Sequence, residues 1–289
     1  MSINLQAFLG QGLADAVGRP FEFGTPNIKA VQKYMDDENQ LLHITDDTQM
    51  ALFGLHGLTE GMKHGQPLHQ VKRAYLDWLR TQEGHFDKRH VGILAEKKLW
   101  RREAPGNTCI TSLVALSLGR EVERKSNGCG TVMRLLPFAL YGNATGEWQC
   151  AASLAEASSL LTHKGTQIVP STKLYMEVAH DLATTGKSKT AIMRSKMVPT
   201  IDSYGQGWNA EECLNMALWA LGRAKTFREL LIHSIVHGGD SDSVAAVAGG
   251  LWGLAGREVP EGLAHRLDEG DVLARAVAEF EKELVPTGN

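Results

Sequence analysis

The sequence predicts an all-α fold in one compact domain spanning residues 1–289, on three observations. Apolar residues recur at i, i+3, i+4, i+7 in several long segments. Alternating runs rich in Val, Ile and Thr are missing. The one Asn-Gly dipeptide, Asn127-Gly128, sits between a basic flank and a helical one, not between two strands.

Taken in order, "FLGQGLADAVG" reads as a helix that stops at Gly18-Arg19-Pro20. A second apolar helical stretch follows Asp47 and includes Met50, Phe53 and Leu58. In "LHQVKRAYLDWL" the stripe is Leu68, Val71, Tyr75 and Leu79. A helix is expected from about Val132, and others over "AASLAEASSLL" and "STKLYMEVAHDLA". The polar stretch "TTGKSKTAIMRSKMVPT" is expected to be an exposed excursion. In "NAEECLNMALWALG" the stripe is Leu214, Ala217, Leu218 and Leu221; Asn209 and Glu212 are spaced as a capping box, and Gly222 is a stop signal. The last clear helix follows "HGGDSDS" and is built from small apolar residues.

Bulk properties narrow the function. A net charge of −3 gives no argument for a nucleic-acid or membrane-surface partner. Cys109, Cys129, Cys150 and Cys213 form no CxxC pair, which favours a reducing compartment over a disulfide scaffold. With no signal-peptide pattern and no apolar run near the ~20 residues of a membrane span, the expected location is the cytoplasm.

Two acid-rich knots stand out. "ITDDTQM" puts Thr45, Asp46, Asp47 and Thr48 at a helix start, and "GGDSDSV" puts Asp240, Asp242 and Ser243 at another. Capping explains one such residue per helix. Concentrated carboxylates repel one another unless a cation neutralises them, and oxygen-only ligands select hard cations. Brought together, the knots would hold two divalent ions, Mg²⁺ or Mn²⁺. His233 and His237 have zinc-like i, i+4 spacing, but Ser234 stands where a zinc protease needs Glu, so packing or hydrogen bonding is the expectation. Glu22, between Phe21 and Phe23, is either a partly desolvated proton-transfer group or a water-facing acid with both rings turned inward. Gly128 and Gly130 permit a turn whose amides face an anion, or a plain loop. Tyr204 and Trp208, on a glycine-spaced loop, either stack on a base or ribose or anchor the loop. His163, after an apolar helix, is read as a C-terminal cap.

In order along the chain, "GLADAVGRPFEF", "ITDDTQMAL", "GCGTVMRLLPFAL", "LTHKGT", "SYGQGWNAEECLNMAL" and "GGDSDSVAAVAGGLWG" resemble the ADP-ribosylglycohydrolase family, which includes ADP-ribosylarginine hydrolases and dinitrogenase reductase-activating glycohydrolases. The resemblance implies an orthogonal helical bundle with a dinuclear Mg²⁺ or Mn²⁺ cleft. It implies metal ligands at Thr45, Asp46, Asp47, Asp240, Asp242 and Ser243, with Glu22, Asp46 and Asp242 as the catalytic acids. Gly128, Cys129, Gly130, Thr131, Val132 and Met133 would cradle the diphosphate, and His163, Tyr204, Gly205 and Trp208 would line the ADP-ribose pocket. Three positions depart from many relatives. Ala14 replaces Gly before Asp15, Cys129 replaces Asn, and Ser243 replaces Thr. The implied reaction releases ADP-ribose from a modified protein, arginine N-glycosides first, with serine- or ester-linked ADP-ribose as alternatives. A third alternative is an immunity protein that blocks an ADP-ribosyltransferase toxin by occlusion.

Overall fold

Fourteen α-helices account for the regular structure of residues 1–122 and 125–284, the part the computed structural model describes. They are α1 (Ile3–Gly18), α2 (Ile28–Asp36), α3 (Asp46–His64), α4 (Pro67–Glu83), α5 (Asn107–Ser117), α6 (Leu136–Thr145), α7 (Trp148–Leu160), α8 (Ile168–Thr185), α9 (Lys189–Met197), α10 (Ala210–Arg223), α11 (Phe227–Ile235), α12 (Ser241–Leu254), α13 (Glu261–Ala264) and α14 (Gly270–Leu284). Among the described residues there are isolated bridges at Leu42–Leu267 and Gly128–Asn209 but no strand. The all-α expectation holds, and every helix contributes to one contiguous apolar cluster.

Several helix starts are set by short polar side chains. Ser2, Asn27, Thr45, Ser188, Asn209 and Thr226 each accept a hydrogen bond from a first-turn amide, each worth about 1 kcal/mol. Asn209 does cap α10, at 2.9 Å from the Glu212 amide. Glu212, however, does not close the expected box. Its carboxylate accepts from the Gln206 and Gly207 amides and so pins the loop before the helix.

The centre of the molecule is the crossing of α1 with α12. All residues of α12 are buried, as an all-round apolar helix requires. Glycines let the two backbones touch. A Cβ on Gly249 would lie 2.2 Å from the Gly10 carbonyl oxygen, and one on Gly253 2.4 Å from that of Gln6. At the end of this seam Gly18 lies against Ser241 and Asp242, which brings the residues after α1 to the start of α12.

Three local expectations are corrected. The polar stretch after α8 is not an excursion: it forms α9, with Ala191 and Ser195 buried against α10 while Ile192, Met193 and Met197 stay exposed. Gly222 does not stop α10, which runs on to Arg223. A Cβ there would lie 2.3 Å from the Ala191 carbonyl, so Gly222 is the point where α9 and α10 meet. The chain after Gly128 forms a 3₁₀ turn, Cys129–Arg134, and α6 begins only at Leu136. Among the described residues no helix is long and apolar enough to cross a membrane.

Candidate active site

Asp15, inside α1, organises the first acidic knot. Its carboxylate accepts from the Thr45 amide at 3.0 and 3.1 Å and from the Thr48 amide at 3.2 Å, fixing the start of α3. Thr45 then accepts from the Asp47 amide through Oγ1. Asp46 Oδ2 accepts from the Gly106 amide at 3.3 Å, while Asp47 Oδ2 is buried with no partner.

The second knot lies at the start of α12. Asp240 stands at the cap position but its side chain makes no capping bond. Cys129 Sγ donates to its Oδ2 at 2.8 Å instead, and Ser243 Oγ lies 3.8 Å from that sulfur. Asp242 Oδ1 accepts from the Ser243 amide at 3.0 Å. Glu22, carried in by the 3₁₀ turn Arg19–Phe21, completes the group: Glu22, Asp240 and Asp242 each offer a carboxylate oxygen, all within 4.8 Å of one another.

These acids share one electrostatic problem. Burial raises Asp46, Asp47 and Asp240 well above the ordinary carboxylate range, and the charge of Asp242 raises them further. Burial and then Asp242 push Glu22 up to about 8 and Asp15 to about 7. Among the described residues no lysine or arginine forms an ion pair with Glu22, Asp46, Asp47, Asp240 or Asp242. A second triplet with ligand spacing, His43, Asp268 and Glu269, differs on this point, since Arg101 Nη1 lies 2.9 Å from His43 Nδ1 and 3.6 Å from Glu269. Both of its carboxylates already have cationic partners, Arg101 on Glu269 and Lys98 on Asp268. The uncompensated cluster, all oxygen apart from the Cys129 thiol and with one carboxylate oxygen orphaned, fits a hard divalent cation.

The acids close one end of a cavity of about 370 Å³. Its walls bring together Glu22, Asp46, Asp47, Gly128, Cys129, Gly130, Met133, His163, Trp208, Asp240, Asp242 and Ser243. Five residues expected there by resemblance are not among those that line it. Thr45 is turned to the helix cap. Thr131 and Val132 point into the core, at 0% and 1% exposure. The Tyr204 hydroxyl donates to the Arg194 carbonyl, and Gly205, at φ 127°, packs against Glu212.

The glycine turn is narrower than a full amide cradle. The Cys129 amide donates to the Trp208 carbonyl and the Gly128 amide to Ser126 Oγ, leaving the Gly130 amide at the wall without a backbone acceptor among the described residues. Gly130 must lack a side chain, because a Cβ would meet Cys109 Sγ at 2.7 Å and His163 Cε1 at 3.2 Å. His163 is therefore a wall residue and not the expected cap: α7 ends at Leu160 with Leu161 in the cap position, and the His163 ring lies 2.8 Å from Thr162 Oγ1 instead of on a helix carbonyl. Burial, reinforced by Arg134, pushes its pKa down to about 3, so the ring is neutral. Arg134 is itself fully buried, donating to Thr162 Oγ1 at 2.7 Å and the Ser158 carbonyl at 3.2 Å and lying over the Tyr75 ring.

Sequence reasoning missed two parts of the wall. Phe23, at φ 62°, does not turn inward with Phe21. It is 73% exposed and stacks on Trp208, with centroids 5.1 Å apart and planes at 20°. The segment Ala104–Thr108 forms the other rim, held by the amide of Gly106 on Asp46 and by Glu103, which pairs with Arg19 and Arg101. No motif marked it. As for the zinc-spaced histidines, His233 packs edge-on to Trp219, and His237 Nε2 lies 2.9 Å from the Ser234 carbonyl.

Comparison with known proteins agrees with this architecture. A solved structure titled "ADP-ribosylglycohydrolase-related protein complex" superposes with a TM-score of 0.69 at 20% identity, covering 98% of each chain, which establishes likeness of fold. An uncharacterized protein of Archaeoglobus fulgidus is 26% identical over 160 residues, 47% of this chain and 52% of that one, so the chain spans about half the length of that relative. The family described as ADP-ribosylglycohydrolase matches residues 4–288: the chain belongs to the ADP-ribosylglycohydrolase family, whose general reaction is hydrolytic release of ADP-ribose.

Proposed function

We propose that this chain removes ADP-ribose from modified arginine side chains of proteins, cleaving the N-glycosidic bond at ribose C1″ with two Mg²⁺ or Mn²⁺ ions at the acidic end of the cavity. The observation behind this reading is the assembly of Glu22, Asp240 and Asp242 within 4.8 Å in a cavity that Asp46 and Asp47 also line, with no side-chain cation paired to them among the described residues. Asp46, Asp47, Asp240, Asp242 and Ser243 would hold the ions. Bound there, the ions would neutralise the carboxylates and supply Lewis acidity toward the ribose hydroxyls and a water.

The remaining work falls to the chain's own groups. The Glu22 pKa is raised to about 8 by burial beside Asp242 and Asp15 while those carboxylates are uncompensated; cations that neutralise its neighbours would lower it again, leaving Glu22 ionised to accept a proton from the attacking water. The surrounding carboxylates stabilise positive charge developing at C1″. The Gly130 amide and the neutral His163 ring bind the diphosphate side of the ligand, and the Phe23–Trp208 pair bounds its path out of the cavity. Binding at these remote groups fixes the anomeric carbon against the acids.

The test is release of ADP-ribose from an arginine-ADP-ribosylated protein, with Mg²⁺, with Mn²⁺ and with EDTA, beside a serine-linked substrate. Release that needs metal and is confined to the arginine linkage is the expected result. Release from serine alone would replace the acceptor. No release from either, with ADP-ribose still bound, would favour a protein that occludes a transferase partner, and protection by Asp242→Asn would then confirm occlusion.

A further inference from the structure

Two aromatic rings stand at the wall of the acidic cleft where burial does not account for them. One face of the Phe23 ring lies nearly parallel to Trp208, and at 73% exposure its other face is open to solvent. Trp208 is itself fixed, its indole donating to Gln206 Oε1 at 3.2 Å and its carbonyl accepting from the Cys129 amide at 3.1 Å. The backbone beneath Phe23 is strained. The Gly24 amide donates to the Phe21 carbonyl at 3.1 Å, with Glu22 at φ −55° and ψ 140° and Phe23 at φ 62°. This is a type II turn with phenylalanine at the position that favours glycine or asparagine. A bulky side chain held there with most of its surface in water gains little burial to offset the strain, and such outliers gather at binding sites.

We propose that the open face of Phe23 stacks on the guanidinium of the modified arginine, so that Phe23 sets specificity for the acceptor; the inference rests on the arginine reading above. Position is the first argument. Glu22 belongs to the cluster against which that reading sets ribose C1″, and Phe23 is the next residue, its Cα about 3.8 Å further on. The acceptor nitrogen is bonded to C1″, whereas the adenine lies at the far end of ADP-ribose, beyond the diphosphate. A protein substrate also stays outside a hollow of about 370 Å³, so its modified side chain has to cross the rim to which the exposed Phe23 belongs. Charge is the second argument. Glu22, Asp46, Asp47, Asp240 and Asp242 all line this cavity, and two divalent ions would not balance all five carboxylates. A planar cation is the group that such a field and an aromatic face both favour. A serine linkage offers neither the plane nor the charge.

The test is steady-state release of ADP-ribose from an arginine-ADP-ribosylated protein by the full chain with Mn²⁺, beside calorimetric affinity for free ADP-ribose. Phe23→Leu keeps an apolar side chain but removes the π face. It should raise KM about 5–30-fold and leave the ADP-ribose dissociation constant within about threefold. Phe23→Tyr keeps the face and should return KM to within about threefold of the parent. Should Phe23→Leu misfold by CD, Phe23→Ala takes its place with the same expectation. If the parent releases nothing from the arginine linkage, the acceptor reading fails and this inference with it. If the parent does release ADP-ribose and KM in Phe23→Leu rises less than about fivefold, the inference alone is overturned. It is equally overturned if ADP-ribose binding weakens in step with KM, which would put the ring on the ADP-ribose itself, or if Phe23→Tyr behaves as Phe23→Leu does.

Discussion

Replacing Gly18 by alanine should cost Mn²⁺ affinity 10–100-fold, the scale seen when groups supporting metal ligands are disturbed. Gly18 has ordinary right-handed dihedrals, φ −69° and ψ −36°, so alanine's own preference favours the change by about 1 kcal/mol. The obstacle is space. A Cβ at this position would lie 2.7 Å from Asp242 Cα, 2.8 Å from the Ser241 carbonyl oxygen and 2.9 Å from the Asp242 amide nitrogen. All three are backbone atoms and cannot rotate away. Since ordinary contact begins at 3.4 Å, the start of α12 must retreat by about 0.5–0.7 Å. That exceeds the ~0.2 Å tolerance of a metal–ligand distance. Overpacking costs about 1–3 kcal/mol, so the net loss of stability after the helix gain is about 0–2 kcal/mol. Mn²⁺ titration followed by electron paramagnetic resonance reads the first effect, and urea unfolding in EDTA reads the second. A dissociation constant within about threefold of the parent, in a variant that folds, would show that Gly18 does not set the position of Asp242.

Other substitutions separate chemistry from binding. Asp242→Asn and Asp46→Asn should each lower turnover at least about 10²-fold at unchanged helical CD, and full activity in both would end the metal-centred mechanism. Glu22→Gln should lower kcat about 10²–10⁴-fold and leave ADP-ribose affinity within about threefold; an unchanged rate would remove Glu22 from the proton transfer. The acids also predict a pH profile for the metal-free protein. Asp15 and Glu22 are raised from 3.8 and 4.5 to about 7 and about 8, so between those limits the folded chain binds more protons than the unfolded one. Stability in EDTA should therefore fall as pH rises from about 4 to 8, Asp15 alone contributing up to about 1.4 kcal/mol per pH unit. Saturating Mn²⁺ should flatten the slope, adding about 2.7 kcal/mol at a hundred times its dissociation constant. A flat Tm profile in EDTA would mean that the carboxylates are not crowded as the structure shows.

What the sequence made legible is what repeats locally. Stripes such as Leu214, Ala217, Leu218 and Leu221 announced their helices, and the caps at Thr45 and Asn209 sit where short polar side chains were expected. The two acidic knots were visible as departures from simple capping, and the fold brings four of their carboxylates to one cavity. Illegible were features that depend on what lies opposite. Gly222 looks like a terminator until Ala191 is seen against it. The α9 segment is a weak helix by pattern, with Ala191 and Ser195 its buried residues, and it is held by the neighbour it packs on. Asp15 reads as an acid interrupting an apolar helix, yet its partners are amides of Thr45 and Thr48, supplied by another helix. Phe23 gave no warning because its stacking partner, Trp208, is remote in sequence and its dihedral is unusual for a bulky residue.

The crossing of α1 with α12 has a further consequence, for biosynthesis. Gly18 of α1 packs on the backbone of Asp242 in α12, 224 positions later, so the earliest helix to leave the ribosome waits for one of the last. At ~5–20 residues per second that interval is about 10–45 s. Throughout it the face of α1 bearing Ala7, Gly10, Ala14 and Gly18 lacks its native cover from α12, and the acids of α3 lack their counterparts. Such long-range closure slows folding and exposes the nascent chain to aggregation and to chaperones. It also means that a chain broken off before Asp240 has neither a finished core nor the second half of the acidic cluster.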